Sequence, residues 1–433
     1  MAFQQALSGL NSASKAIDAT SHNIANSSTV GFKSSSAHFG DVYAASLNGS
    51  GSSQIGIGVN LSAVQQQFTQ GNITSTNNPL DISINGAGFF RMDQNGAATF
   101  TRNGQFHLDK NGYVVNDQSL KLTGYAALAG VVVPSTPTPI QISASDLPPI
   151  ATGDSKSGAF TGVRANLNLD SRESQPAAAF VAGTSPPDPL SYNFSTALDV
   201  YDTLGNPHTL TMFMRKDDTP TTANTGEWDV HFTIDGTSEA YVGGSGGKLV
   251  FDSAGKLTSP ATGKFALSID LGSAMTANGL SNSATTPLAF DVDFSGTTQF
   301  GSAFGTNRLE QDGYAAGKLV GLSVGSDGVI QGRYSNGQTF AQGQVVLANF
   351  TNPNGLQALG NNQWTETSIS GPALVGAPNT SSLGALSAST VEESNVDLTA
   401  ELVNLITQQR NYQANAQSIK TQDQVMQTLV NLR

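Results

Sequence analysis

Two stretches of the chain fit the string Gly-x-Ser-x-Gly, which in some hydrolases carries a nucleophilic serine: Gly321-Leu-Ser323-Val-Gly325 and Gly243-Gly-Ser245-Gly-Gly247. The string does chemistry only where a strand enters the serine and a helix leaves it, because that sharp turn exposes the hydroxyl beside free backbone N–H groups. Ser323 is followed by Ser326-Asp327-Gly328 and a new strand pattern, and Ser245 by Lys248-Leu249-Val250, so neither meets the condition. Asp93-Gln-Asn-Gly96 and Asp109-Lys-Asn-Gly112 open like calcium loops. Both lack the glutamate that closes such a loop at its twelfth position, and both read as tight turns. His22, His38, His107, His208 and His231 stand singly with no metal-ligand spacing, and Gly86-Ala-Gly88 lacks the rest of a dinucleotide fingerprint. Asp291 and Asp293 alternate on one strand, the pattern of a solvent face. No catalytic, metal or cofactor site emerges, and the expectation is that the chain is not an enzyme.

Composition narrows the classes further. Charged residues make up 12% of 433 positions, about half of the ~25% usual for a soluble domain. A net charge of −12 with pI 4.7 argues against nucleic acid and anionic membrane surfaces as partners. Cysteine is absent, which excludes disulfides and thiolate chemistry. No run reaches the ~18 apolar residues of a membrane span, so no membrane insertion is expected. The N-terminus lacks a basic region followed by an apolar core, so export is expected without a cleaved signal peptide.

The strongest patterns belong to elements that assemble. From Asp397 to Leu432, apolar or aromatic side chains recur at a seven-residue interval: Leu398, Leu405, Tyr412, Ile419 and Met426. A weaker track runs beside it at Leu402, Gln409, Ala416, Asp423 and Val430. This is the seam of a long helix that packs on other helices. With no Gly or Pro inside it, the rod spans about 54 Å at ~1.5 Å per residue. Asn395 or Asp397 is placed to cap it; Glu392, Glu393 and Glu401 stand near the dipole end that favours negative charge, and Arg433 suits the last turn. A helix so rich in amides needs a partner. The start of the chain offers one, with Phe3, Leu10, Ile17 and Ile24 seven apart, Ala6, Ala13 and Thr20 in companion positions, and Leu7 widening the stripe. Two readings stay open: ordinary intrachain core helices, or a terminal two-helix layer that assembles with copies of itself. The position of these stretches at opposite chain ends favours the second.

Between the ends the texture is β. Residues 34–70 combine a flexible Gly49-Ser-Gly-Ser-Ser53 with Phe39, Tyr43, Ile55, Val59, Leu61, Val64 and Phe68, too many apolar groups for a free tether; an extended segment packed on neighbours is expected. From about residue 72, Asn-Gly pairs at 85–86, 95–96, 103–104 and 111–112 predict closely spaced antiparallel hairpins. Strand patterns resume after residue 320, and the two halves predict one discontinuous domain. Residues 145–300 read as an inserted all-β domain, with strands at Thr196–Tyr201, Leu210–Met214, Trp228–Ile234 and Leu288–Phe294 and a hairpin loop at Gly205-Asn-Pro207.

The run Asn23-Ile-Ala-Asn26 with Thr29-Val-Gly-Phe-Lys33 resembles the N-terminal signature of the flagellar rod, hook and hook-associated axial protein family. Glu393-Ser-Asn-Val-Asp-Leu398, Gln409-Arg-Asn-Tyr-Gln-Ala-Asn415, Lys420-Thr-Gln-Asp-Gln424 and the closing Leu429-Val-Asn-Leu-Arg433 are similar to its other end. The likeness extends over much of 72–127 and 300–375; the middle carries no diagnostic run. It implies a mainly β fold with terminal α-helices, in which N- and C-terminal helices form an inner coiled-coil layer and discontinuous β-rich domains lie outside. The implied division is a helical assembly domain at 1–33 plus 391–433, an extended linker at 34–71, a discontinuous β domain at 72–144 plus 301–390, and an inserted outer β domain at 145–300. Length and the inserted domain favour the hook members, whose curved tubular polymer acts as a universal joint transmitting torque from rod to filament. The alternatives are another axial protein, from the distal rod or the hook-associated set, and a secreted β-rich adhesin. Implied partners are copies of the chain itself, a distal rod protein, a hook cap protein, a hook–filament junction protein and the flagellar type III export apparatus, at an extracellular flagellar location. The residues expected at the assembly interface are Phe3, Leu7, Leu10, Ile17, Ile24, Leu398, Leu402, Leu405, Tyr412, Ile419 and Met426, with Gly31 and Phe32 setting the exit from the inner layer.

Overall fold

Short strands punctuated by glycine are the chief regular structure of the chain, and its two long helices stand at the ends. The computed structural model describes residues 2–42, 56–128, 130–143, 145–154, 160–219, 226–239, 242–243, 247–281 and 283–431. Expectations placed on Tyr43, Gly49-Ser-Gly-Ser-Ser53, Ile55, Ser245, Arg433 and the side chain of Val430 fall outside this description. The described helices are α1 (Ala2–Ala25), the short α2 (Leu271–Ala277) and α3 (Leu398–Asn431). No helix among the described residues is long and apolar enough to cross a membrane. The chain folds as two compact units: residues 1–143, 321–333 and 339–433 form the first, and 144–320 with 334–338 the second. Residues 301–320, expected with residues 72–144 in the discontinuous β domain, belong to the second unit. The reason is pairing: strand Gly305–Gln311 runs antiparallel to Val163–Asp170 along most of its length.

The second unit is two sheets face to face. One orders strands Phe194–Tyr201, Pro207–Asp217, Gly226–Ile234, Gly247–Phe251 and Leu257–Ser259. The other is built around Val163–Asp170, Lys264–Ile269 and Leu288–Asp293. Alternate residues of Val163–Asp170 (Val163, Ala165, Leu167, Leu169) meet Met212, Trp228, Val230 and Phe232 in one core, as the two-residue period of a strand demands. Each fully buried Val, Leu, Met or Phe side chain there stabilises the fold by about 1.5–3 kcal/mol. The Asp202–Asn206 loop joins Tyr201 to Pro207, as the Gly205-Asn-Pro207 signal requires, with Gly205 at φ +83°.

In the first unit, strands Phe89–Gln94 and Ala97–Thr101 meet across Asn95-Gly96, both at positive φ (53° and 93°). That two-residue turn matches the twist of the strands it joins. Asn111-Gly112 likewise links paired strands His107–Leu108 and Val114–Val115. The other two Asn-Gly pairs do not close hairpins. Strand Ile82–Asn85, which ends at the first of them, pairs with Ala385–Ala388 from the far end of the chain. At Asn103-Gly104 the backbone passes so close to the Ile82 carbonyl that a Cβ on Gly104 would sit 1.6 Å from its oxygen. A ring cluster of Phe89, Phe100, Phe350 and Trp364 fills the interior beside them.

The segment after α1 is a hairpin rather than an extended linker. Strand β1 (Ser35–Val42) pairs antiparallel with β2 (Gly58–Gln66), and the hairpin lies against α1. Gly58 at φ +143° approaches so closely that a Cβ would meet Ser8 Oγ at 2.2 Å. Ser323 sits in strand Leu319–Val324, and a turn then leads into strand Val329–Tyr334 with no helix. The Asp93 and Asp109 carboxylates accept hydrogen bonds from backbone N–H groups of their own turns. Among the described residues no group of three or more His, Cys, Asp or Glu is placed to hold a metal.

Candidate assembly site

Helix α3 opens where Asp397 Oδ1 accepts from the N–H groups of Thr399 (2.9 Å) and Ala400 (3.1 Å), so Asp397 is the cap. Asn395 is used elsewhere: its side chain accepts from Ser34 N–H and donates to the Gln67 carbonyl, both at 2.7 Å. Glu392, expected as a dipole-facing acid, lies in strand Thr390–Glu392, fully buried.

Helices α1 and α3 pack on each other, and the seam differs from the apolar tracks. On α1 the buried or half-buried positions Ala6, Gly9, Ala13, Ala16, Thr20 and Asn23 step by three and four, a heptad of small and polar residues. On α3 the half-buried positions are Glu401, Leu405, Gln408, Asn415, Ala416, Ile419 and Gln422, all but Ala416 on a heptad track. The companion track is therefore Glu401, Gln408, Asn415 and Gln422, one position before the expected Leu402, Gln409 and Asp423, which are exposed; Ala416, also expected, is half-buried beside Asn415. The physical reason is size. Small α1 side chains let the helices approach until long amides fill the gap, and a Cβ on Gly9 would stand 2.9 Å from Asn415 Nδ2. Asn23 Nδ2 donates to Glu401 Oε1 at 3.1 Å.

The large apolar residues are left at the rim or outside. Leu10, Ile17, Ile24, Leu405 and Ile419 are half-buried, while Phe3, Leu7, Leu398, Leu402, Tyr412 and Met426 are exposed. Val403, Ile406 and Val425, which the heptad reading passed over, are also exposed. The i, i+4 row Leu398, Leu402, Ile406 is the signal that marks them. Gly31 and Phe32 are buried. Gly31 adopts φ +71°, donates its N–H to the Glu392 carbonyl at 2.8 Å, and would meet Asn103 N at 2.6 Å if it carried a Cβ. Phe32 stacks edge-on against His22 with ring centres 5.4 Å apart.

Below α1 the two chain ends are tied by buried charge. Glu392 Oε1 accepts from Lys33 Nζ (2.6 Å) and Gly71 N–H (2.9 Å), and Oε2 from Arg102 Nη1 (3.1 Å). Lys33 Nζ also donates to the Thr69 carbonyl at 2.7 Å, and Arg102 Nη2 to the Gly86 carbonyl at 2.7 Å. Burial depresses the pKa of Lys33, and Glu392 only partly offsets this; Arg102 is depressed in the same way. Four chain segments, those of Lys33, Gly71, Arg102 and Glu392 itself, thus meet at one carboxylate. The arrangement fixes two helices by their bases and presents apolar side chains for packing; it offers no nucleophile with an adjacent base.

Family models match at four places: flagella basal body rod protein at residues 3–33, flagellar hook protein FlgE/F/G D1 domain at 83–145, flagellar basal body protein FlaE D2 domain at 168–314, and flagellar basal body rod FlgEFG protein C-terminal at 387–432. Paired helices drawn from the two ends of one chain, with β units between them in sequence and these four matches, define a flagellar axial protein. The chain is 39% identical over 437 residues to the flagellar hook protein FlgE of Escherichia coli (strain K12), with all of both chains covered. It is 39% identical over 436 residues to that of Salmonella typhimurium (strain LT2), again over the whole of both. The chain belongs to the flagellar hook protein FlgE family. The crystal structure of Helicobacter pylori flagellar hook protein FlgE2 shares its fold at TM-score 0.51 and 14% identity, over 72% of this chain and 98% of that one. Membership of this structural family implies a flagellar location and self-polymerisation.

Proposed function

We propose that the chain is the repeating subunit of a curved hook tube, the universal joint that carries torque from rod to filament. The observation that carries this reading is the exposure of large apolar side chains along both terminal helices. Phe3 is 50%, Leu402 44% and Ile406 51% exposed, although the two helices already pack on each other. An isolated subunit leaves that surface in water; repeated head-to-tail contacts remove it and generate an open helix of subunits. In this reading residues 1–33 and 391–433 form the inner assembly layer, 34–71 leads out of it, and the two β regions stand outside. Phe3, Leu7, Leu10, Ile17, Ile24, Leu398, Leu402, Leu405, Tyr412, Ile419 and Met426 are its contact residues. The distal rod, hook cap and junction proteins are the partners at its ends, and the type III apparatus exports the chain unfolded.

Low charge suits a joint whose outer domains slide. Several charged residues of the second unit are paired within it, as in Arg164–Glu310 (3.2 Å), Arg215–Asp229 (3.5 Å) and Lys248–Glu227 (3.0 Å). These pairs leave fewer charges to lock one copy to the next. Polymerisation of the full chain, followed by sedimentation and electron microscopy, tests the reading. Curved tubes are the expected product; a chain that stays monomeric over all protein and salt concentrations contradicts it.

A further inference from the structure

A groove of about 370 Å³ opens between α1, α3 and the β1–β2 hairpin. Gly9, Ser12 and Ala13 of α1, Gln408, Asn411, Ala414 and Asn415 of α3, and Phe39 and Val59 of the hairpin line it, so the lining is part apolar and part amide and hydroxyl. It exists because α1 carries its smallest residues where the three elements meet. Phe39 is 38% exposed at the rim, an unfilled aromatic edge. The same helix carries the groove's complement. At about 100° per residue, Phe3 and Leu7 project roughly 120° and 160° around α1 from Gly9, and both are exposed. Knob and hole therefore face different ways on one helix. A chain cannot fill its own groove, and a two-fold pair is not required to satisfy both surfaces.

We propose that the groove of one copy receives Phe3 and Leu7 of the next, and that this knob-in-hole contact gives the polymer its direction. The occupant is a second copy because Phe3 and Leu7 leave apolar surface exposed on the same chain, the groove offers Ala13, Phe39, Val59 and Ala414 for them to pack on beside its polar side chains, and the family polymerises. A contact joining different faces of identical subunits is heterologous, and repetition without closure yields a filament. Buried aromatic anchors surrounded by near-neutral contacts dominate such interfaces. The inference rests on the self-assembly proposed above and specifies its geometry.

Two variants of the full chain test it. Ala414→Phe fills the groove from an exposed position, and Phe3→Ala with Leu7→Ala removes the knobs at exposed positions. Unchanged circular dichroism at low concentration controls for folding. Each variant alone is expected to raise the critical concentration for polymerisation by at least about thirtyfold. Mixed one to one, they are expected to form heterodimers by sedimentation, since one keeps an intact knob and the other an intact hole. Native polymerisation by either variant, or a mixture that stays monomeric, overturns the proposal while leaving a polymerising native chain as a hook subunit. A native chain that never polymerises removes both readings.

Discussion

Lys33 and Glu392 stand 359 positions apart in sequence and 2.6 Å apart in space, with neither side chain exposed. Arg102 completes the group at 3.1 Å from the other carboxylate oxygen. Two cations share one anion, so the partners are not equivalent. Glu392→Gln leaves both cations facing a neutral amide and is expected to destabilise the first unit by about 3–5 kcal/mol. Lys33→Met keeps the Arg102–Glu392 pair and should cost clearly less. Denaturant unfolding read from Trp364 fluorescence in a Trp228→Phe background checks the order, because the chain's two tryptophans lie one in each unit. Equal losses in the two variants would show that the carboxylate is not the hub. Trimming the chain to 34–390 removes Lys33 and Glu392 together, so the ends are better probed by substitution than by truncation.

Gly31 occupies a conformation that L side chains rarely adopt, with the backbone of Asn103 where a Cβ would go. Gly31→Ala should therefore lower the stability of the first unit by about 1–3 kcal/mol. The same Trp364 transition measures it, and a loss below a few tenths of a kcal/mol counts against the close approach.

His208 lies between two carboxylates, Nδ1 at 2.7 Å from Asp235 Oδ2 and Nε2 at 3.4 Å from Asp202 Oδ2. The hydrogen bond to Asp235 raises its pKa above the usual 6.5, against the effect of burial. A raised folded-state value means stability that is fully present below pH ~6.5 and lost as pH climbs through the folded value. The second unit should therefore weaken on the alkaline side, read from Trp228 in a Trp364→Phe background. His208→Gln should flatten that slope. A midpoint independent of pH from 6 to 9 in the native chain removes this role for His208.

Position on α3 separates folding from assembly. Leu402→Asp and Ile406→Asp fall on exposed side chains and should abolish polymer while leaving monomer helix content unchanged. Leu405→Asp falls at the half-buried seam with α1 and should lose helix as well as polymer. Circular dichroism paired with sedimentation distinguishes the two; helix loss in Leu402→Asp contradicts the placement.

The sequence by itself determined what rests on local physics. The uninterrupted heptads specified α1 and α3, Asp397 was legible as one of two candidate caps, and Asn95-Gly96 as a tight turn. These depend on neighbours within a few residues, so chain order contains them. Only tertiary structure decided which track of each helix faces the other. Periodicity shows that two stripes exist; the closeness allowed by Ala6, Gly9 and Ala13 chose the small one and left Phe3 and Leu402 outside. It also decided that Asn85-Gly86 ends a strand paired with Ala385–Ala388, that residues 301–320 join the second unit, and that Glu392 serves Lys33 and Arg102 instead of a helix dipole. Each of those depends on a partner tens to hundreds of residues away, and a linear pattern carries no distance between its ends.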